Sequence, residues 1–250
     1  MSAWAAQGVR PDTGVVTGVV RRRPGLPQPG QDIGTDPRGR IDSFAVAEAG
    51  VGRIAGIVIA AGGGRRIGGP EALLRRGDAL LVDDVCGIAR EIGCAPLIVV
   101  LGAQANQVRT AARLEDAVTV VDKAWGTGLG SSLRVGLEAL VGVAADAAVV
   151  LTVDMPGVTV EAARRVALLP HADALVCATY DGRRSYPMLL GRRHWAGLAT
   201  LAKSDVGARP YLLAHKTEIV DVACDAVADG HRLDKPHLVT AFGLTRTTAE

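Results

Sequence analysis

The stretch RIAGIVIAAGGGRR, residues 53 to 66, restricts the fold more than any other part of the chain. Its first half is a short run of β-branched and small apolar side chains, the pattern of a strand covered on both faces. Its second half breaks that strand with three consecutive glycines, Gly62, Gly63 and Gly64, followed by Arg65 and Arg66. Glycine lets the backbone take positive φ and approach a ligand closely, while exposed amides and two guanidinium groups offer positive potential to phosphate. A buried strand ending in such a loop belongs at the ligand-bearing edge of a parallel sheet. A plain connecting turn is the competing reading. The loop lacks the GK[ST] that completes a Walker pattern, and Ile67 stands where the third glycine of GxGxxG would fall after Gly62 and Gly64.

Downstream segments repeat the alternation. LVDDVCGIAREIG (81 to 93) spaces Val82, Val85, Ile88, Ala89 and Ile92 on one helical face, and PLIVVLG (96 to 102) reads as the next strand. QANQVRTAAR is then a helix and AVTVV (117 to 121) a strand. GSSLRVGLEAL (130 to 140) is helical, with Ser131 or Ser132 placed to cap its exposed amides. DAAVVLTV (146 to 153) is a fourth buried strand, ending at Asp154-Met155-Pro156. The pattern predicts an α/β fold, a Rossmann-like three-layer sandwich with a mainly parallel sheet and ligands beyond the strands' carboxyl ends.

After Pro156 the pattern changes. VEAARRVALL is another helix, but ADALVCATY and SYPMLLG are separated only by Asp181-Gly182-Arg183-Arg184, whose Asp-Gly predicts an added antiparallel hairpin. HWAGLATLA and ARPYLLAH read as helices, TEIVDVA as a strand and KPHLVTAFG as a closing helix.

Residues 1 to 50 carry many Gly, Pro and Arg residues without sustained periodicity, so they are expected to be a disordered tail outside the core, or an over-extended gene start; residues 51 to 245 form the domain. With 28 basic against 26 acidic side chains, no strong field steers the chain toward nucleic acid or an anionic membrane, and small-molecule partners are expected. No run approaches the ~18 apolar residues of a membrane span. The Arg21-Arg22-Arg23 triplet precedes a polar, Pro/Gly-rich segment instead of the apolar core of an export signal, which points to the cytoplasm. Cys86, Cys94, Cys177 and Cys224 are far apart and read as small buried side chains. His171, His194, His215, His231 and His237 lack metal-ligand spacing, which favours exposed or capping roles, and Trp125 and Trp195 read as packing residues.

The segment IAAGGGRRIGGPEALL (59 to 74) resembles the MobA-like nucleotidyltransferases, and among them the molybdenum cofactor cytidylyltransferase branch, whose opening reads approximately LAAGxSxRMGxPKxLL. The resemblance extends from residue 53 to about 243 through WGTGLGSSLRVGL, LTVDMPGVT, YDGRRSYPMLLGRRHW and the late RLDKPHL, which looks like the family's DxDTPEDL. It implies a fold of the nucleotide-diphospho-sugar transferase type. It also implies that Ala61, Gly62, Gly63, Gly64 and Arg65 surround the base and phosphates of a nucleotide, that Arg66 contacts phosphate, and that Gly130, Ser131 and Ser132 help hold the nucleotide. Asp154 would bind Mg²⁺. Elementary chemistry agrees, because a carboxylate at the end of a buried strand is rigidly presented and Mg²⁺ takes one or two carboxylates plus phosphate oxygens. A helix cap for VTVEAARR is the competing role of Asp154.

Two positions depart from the family pattern. Glu71 replaces the lysine of the PK pair, a charge reversal; two unit charges ~4 Å apart interact by about 4 kcal/mol at an effective dielectric of ~20. Arg65, Arg75 or Arg76 would have to compensate, unless Arg75 and Arg76 are only a solvated turn. Ser185-Tyr186-Pro187 stands where the cytidylyltransferases have Gly-His-Pro, on the substrate side, where Tyr186 is either a ligand contact or a plain strand residue.

The resemblance implies nucleotidyl transfer, with CTP first because AAG is closer to the cytidylyl than to the guanylyl branch. A phosphorylated acceptor such as molybdopterin would attack the α-phosphorus in line, Mg²⁺ on Asp154 would neutralise charge, and pyrophosphate would leave. A molybdoenzyme or a second copy of the chain would be the protein partner. The alternatives are an NAD(P)H-dependent oxidoreductase of the nicotine blue type on the same fold, for which the missing lysine matters less, and a catalytically weakened nucleotide-binding protein signalled by Glu71.

Overall fold

A computed structural model describes residues 52 to 246, so the expectation of a disordered tail over residues 1 to 50 lies outside the described residues. The chain begins with β1 (Ile54–Ala60), a short 3-10 turn (Glu71–Leu73), and a small hairpin of β2 (Leu74–Arg76) and β3 (Ala79–Leu80). It continues through α1 (Leu81–Glu91), β4 (Leu97–Leu101), α2 (Ala105–Ala111), β5 (Val118–Val121), α3 (Leu129–Glu138), β6 (Ala147–Thr152) and α4 (Val160–Val166). The remaining elements are β7 (Leu175–Tyr180), β8 (Arg183–Gly191), α5 (Arg192–Leu201), α6 (Arg209–Ala214), β9 (Val220–Ala223), α7 (Pro236–Ala241) and β10 (Thr245–Arg246).

The apolar runs pair as their burial demands. β4 and β6 are buried along their whole length and flank β1 in parallel, with Ile57 opposite Ile98 on one side and Val150 on the other. The seven-stranded sheet has the order β5-β4-β1-β6-β8-β7-β9, in which β8 runs antiparallel to both neighbours. α1 packs against α4, and α3 packs against α5, to complete the sandwich. Fully buried side chains such as Ile57, Leu101, Leu133 and Leu151 each contribute roughly 1.5 to 3 kcal/mol by leaving water. The β7–β8 hairpin turns at Asp181 and Gly182, both with positive φ (49° and 71°), which suits the right-handed twist of the strands. The Asp-Gly signal thus had its expected meaning, and β8 starts at Arg183, two residues before the apolar pattern suggests.

A second, three-stranded sheet of order β10-β2-β3 was not legible in the sequence, because strands of two or three residues carry no periodicity. It covers a satellite cluster of Ile67, Leu74, Leu81, Leu233 and Leu244. No helix among the described residues is long and apolar enough to cross a membrane.

Candidate nucleotide site

Because β1, β4, β5 and β6 are parallel, the residues that follow them emerge at one edge of the sheet. The loop after β1 is closed there by its own backbone: the Gly64 carbonyl accepts from the Ile67 and Gly69 amides at 2.9 and 3.1 Å, and the Ala61 carbonyl accepts from Ala103 at 3.0 Å. Side chains are excluded from inside it. A Cβ on Gly62 would lie 2.7 Å from Glu71 Oε2, one on Gly63 2.8 Å from the Trp125 ring, and one on Gly64 1.8 Å from the Gly69 carbonyl oxygen. Gly64 also has φ 53°. Ile67, which breaks the dinucleotide pattern, is buried in the satellite cluster and anchors the loop, while Arg65 and Arg66 stay exposed at its tip. Gly64→Ala is expected to force the loop open and weaken nucleotide binding about tenfold or more, since a side chain at positive φ adds about 1 to 2 kcal/mol to the backbone clash. Calorimetric titration of a nucleoside triphosphate into a variant whose circular dichroism matches the parent's checks this; unchanged affinity would remove this loop from the site.

Glu71 is not the charged surface turn that its neighbours Arg75 and Arg76 suggest. Only 8% of it is exposed, its carboxyl lies beneath Gly62, and Oε2 has no hydrogen-bond partner. Burial pushes its pKa from 4.5 up to about 7; the nearby Asp154 carboxylate adds to the rise, and Arg232 and Arg246 oppose it. Arg76 instead reaches Asp84 and the Pro156 carbonyl, and Arg75 donates to the Asp78 carbonyl at 2.8 Å.

Asp154 follows β6 and points its carboxylate at Arg232, whose Nε donates to Oδ2 at 2.9 Å and whose terminal nitrogen donates to the same oxygen. Oδ1 is buried and has no partner. Helix α4 is capped by Thr159, whose hydroxyl accepts from the Ala162 amide at 3.2 Å, so the alternative of Asp154 as its cap is excluded. Tyr186, on β8, is buried beside this pair, and burial raises the pKa of its phenol. The Leu233 amide donates to the Asp154 carbonyl at 2.8 Å, which fixes the backbone beside Arg232. Arg232 was missed in the sequence, although it occupies the first acidic position of the DxDTPEDL-like motif.

The serines at the start of α3 do not cap it; no side chain caps that helix. Both are buried within its first turn, where Ser131 and Ser132 donate to Oδ2 of the buried Asp122, the second at 2.9 Å. Oδ1 of Asp122 accepts from the Ala124 amide at 2.8 Å. Gly130 lies against the backbone of Lys203 and Ser204, where a Cβ would meet nitrogen at 2.7 Å. Any contact of residues 130 to 132 with a nucleotide therefore goes through backbone, and Asp122, like Arg232, was missed in the sequence.

The unpartnered Asp154 Oδ1 and Glu71 Oε2 are hard oxygen donors of the type a hard divalent cation takes, so the residues present fit such an ion. Elsewhere, the histidine reading needs correction. His194 is buried, not exposed, with Nδ1 2.9 Å from the Tyr211 hydroxyl; ligand atoms of His194, His215 and Glu218 lie within 4.8 Å of one another.

Residues 56 to 219 match the family described as the MobA-like NTP transferase domain. The chain belongs to that family. A curated relative, nicotine blue oxidoreductase of Paenarthrobacter nicotinovorans, is 32% identical over 197 residues, covering 72% of this chain and 92% of its own. Among solved structures, Rv0371c of Mycobacterium tuberculosis H37Rv is 28% identical with a TM-score of 0.67, over 77% of this chain and 97% of that one. A manganese complex of Rv0371c matches with a TM-score of 0.59 at 28% identity, over 69% and 89% of the two chains. A nucleotidyl transferase from Methanothermobacter thermautotroptrophicus, 20% identical with a TM-score of 0.61 over 76% and 97%, shares the fold. The MobA-like domain is thus an enzyme fold of the nucleotide-diphospho-sugar transferase type, and one of its similar solved structures is a manganese complex.

Proposed function

We propose that the MobA-like domain binds a nucleoside triphosphate, CTP first, at the carboxyl edge of β1 and β6 and transfers its nucleotidyl group to a phosphorylated acceptor of the molybdopterin kind. The observation that carries this reading is the closed loop 61 to 69, in which Gly62, Gly63 and Gly64 are required by contacts at 1.8 to 2.8 Å and whose tip presents Arg65 and Arg66, at the same sheet edge as Asp154, which follows β6. Arg66 would contact phosphate, and the backbone of Ala61 to Gly64 would surround the base and phosphates. Tyr186 lines the acceptor side next to Asp154. Mg²⁺ held by Asp154 Oδ1 would neutralise charge on the phosphate oxygens. The protein's own contribution is positioning: the triphosphate is held in line with the acceptor phosphate, and water is kept from the α-phosphorus. The four unpaired, buried cysteines support the cytoplasmic setting.

A second reading, NAD(P)H-dependent reduction, is favoured by one specific observation: the buried carboxyl of Glu71 stands where the transferases place a lysine, and the chain covers 92% of a nicotine blue oxidoreductase. Hydride transfer develops no charge on an α-phosphate, so it tolerates that carboxyl. Incubation of the full chain with CTP, GTP or ATP, a phosphorylated pterin and Mg²⁺ is expected to release pyrophosphate, with CTP fastest. No release with any triphosphate, together with NADPH oxidation in the presence of a quinone-like acceptor, would replace the transferase reading by the reductase one.

A further inference from the structure

Resting on the nucleotide reading above, we propose that Arg232 is the cation that meets nucleotide phosphate in this site, and that it and a divalent cation are alternative partners of Asp154. Both hydrogen bonds of the guanidinium fall on one oxygen, Oδ2, and Oδ1 is left without a partner. This is not the two-oxygen fork in which arginine and carboxylate saturate each other. Two of the five N–H donors of the arginine are engaged with Asp154, and 46% of its side chain is exposed, against 22% for Asp154, so the guanidinium is the more accessible member of the pair.

The base of Arg232 is fixed while its tip is free to change partner. Leu233 is buried in the satellite cluster with Ile67 of the glycine-rich loop, and its amide is bonded to the Asp154 carbonyl. The arginine is therefore mounted on the same small core as the phosphate loop. Arg232 and Arg246 are the arginines whose charge acts on the buried Glu71 carboxyl under Gly62, so positive charge already converges on this part of the loop. A metal ion on Oδ1 and a guanidinium on Oδ2 carry like charge and compete for the same carboxylate. Arrival of a cation at Asp154 releases Arg232, and planar donors suited to phosphate then turn to the ligand. The bland competitor is an isolated ion pair of small energetic weight that takes no part in binding.

Two probes on the full chain separate these. Mn²⁺ binding without nucleotide, followed by the electron paramagnetic resonance of the free ion, is expected to tighten about tenfold or more in Arg232→Gln, within the usual range of coupling between sites. Inorganic pyrophosphate, titrated calorimetrically with Mg²⁺ at saturating concentration for both proteins, is expected to bind about tenfold more weakly to the same variant. An unchanged Mn²⁺ affinity overturns the competition, and an unchanged pyrophosphate affinity overturns the phosphate contact. Because Arg232 is exposed, the variant should keep the parent's circular dichroism spectrum. The transferase reading fails separately: if both shifts appear while no triphosphate releases pyrophosphate, the role of Arg232 stands and nucleotidyl transfer does not. If adding Asp154→Asn to Arg232→Gln leaves Mn²⁺ binding unchanged, the shared carboxylate is not that of Asp154 and the inference is overturned.

Discussion

Glu71→Gln is expected to make the protein more stable at pH 8 and to remove most of its loss of stability between pH 4.5 and 7. The folded carboxyl titrates near 7 because burial strips it of water, whereas the unfolded one titrates near 4.5. Across that window the folded state holds a proton that the unfolded state has released. Stability contributed by this group is therefore fully present below about pH 4.5, falls as pH rises through 7, and is constant above. The shift amounts to on the order of 3 kcal/mol. At 2 to 4 °C for each kcal/mol in a domain of this size, the variant should melt roughly 6 to 12 °C higher than the parent at pH 8. Glutamine copies the shape of the neutral carboxyl, so the two proteins should converge at pH 4.5. Melting curves that stay parallel from pH 4.5 to 8 would show that the Glu71 carboxyl is solvated.

The second large effect concerns Asp122. Asp122→Ala removes the acceptor of two hydroxyls and one amide in a place where water does not reach, since Asp122 is 2% exposed. Leaving a buried donor unsatisfied costs about 1 to 3 kcal/mol. Ser131 has fallback contacts with the Ala124 and Gly128 carbonyls at 3.2 and 3.4 Å, so its share is the smallest. A total loss of about 3 to 4 kcal/mol in urea unfolding is expected. Adding Ser131→Ala and Ser132→Ala to Asp122→Ala should recover part of it, because the orphaned donors are gone. A loss under ~1 kcal/mol for Asp122→Ala would show that the start of α3 holds its shape without this carboxylate.

The long elements were legible because their patterns are long. Runs such as PLIVVLG and DAAVVLTV are too apolar for anything but a strand covered on both faces, and LVDDVCGIAREIG has the spacing of one helical face. The Asp-Gly turn announced β8 because the turn demands positive φ at both residues. What stayed hidden depends on contacts between residues far apart in sequence. Glu71 looks like a surface charge beside Arg75 and Arg76; only the fold places it under Gly62. Arg232 looks like one more basic residue in a loop until Asp154, 78 residues earlier, is found beside it. Ser131 and Ser132 have the composition of a helix cap, but the helix already starts at Leu129, so both lie inside its first turn and donate to the buried Asp122. His194 and His215 have no ligand spacing along the chain and meet only through α5 and α6.

β10 pairs with β2, Thr245 opposite Arg75, although about 170 residues separate them. On a ribosome adding ~5 to 20 residues per second, β2 waits roughly 10 to 30 s for that partner to be synthesised. During this interval the parallel strands β1, β4, β5 and β6 can pair, but the small sheet that covers Ile67 of the glycine-rich loop and Leu233 cannot close. A nascent chain therefore pairs its parallel strands before the surroundings of the glycine-rich loop are complete, so no ligand that needs the finished loop can template those early steps.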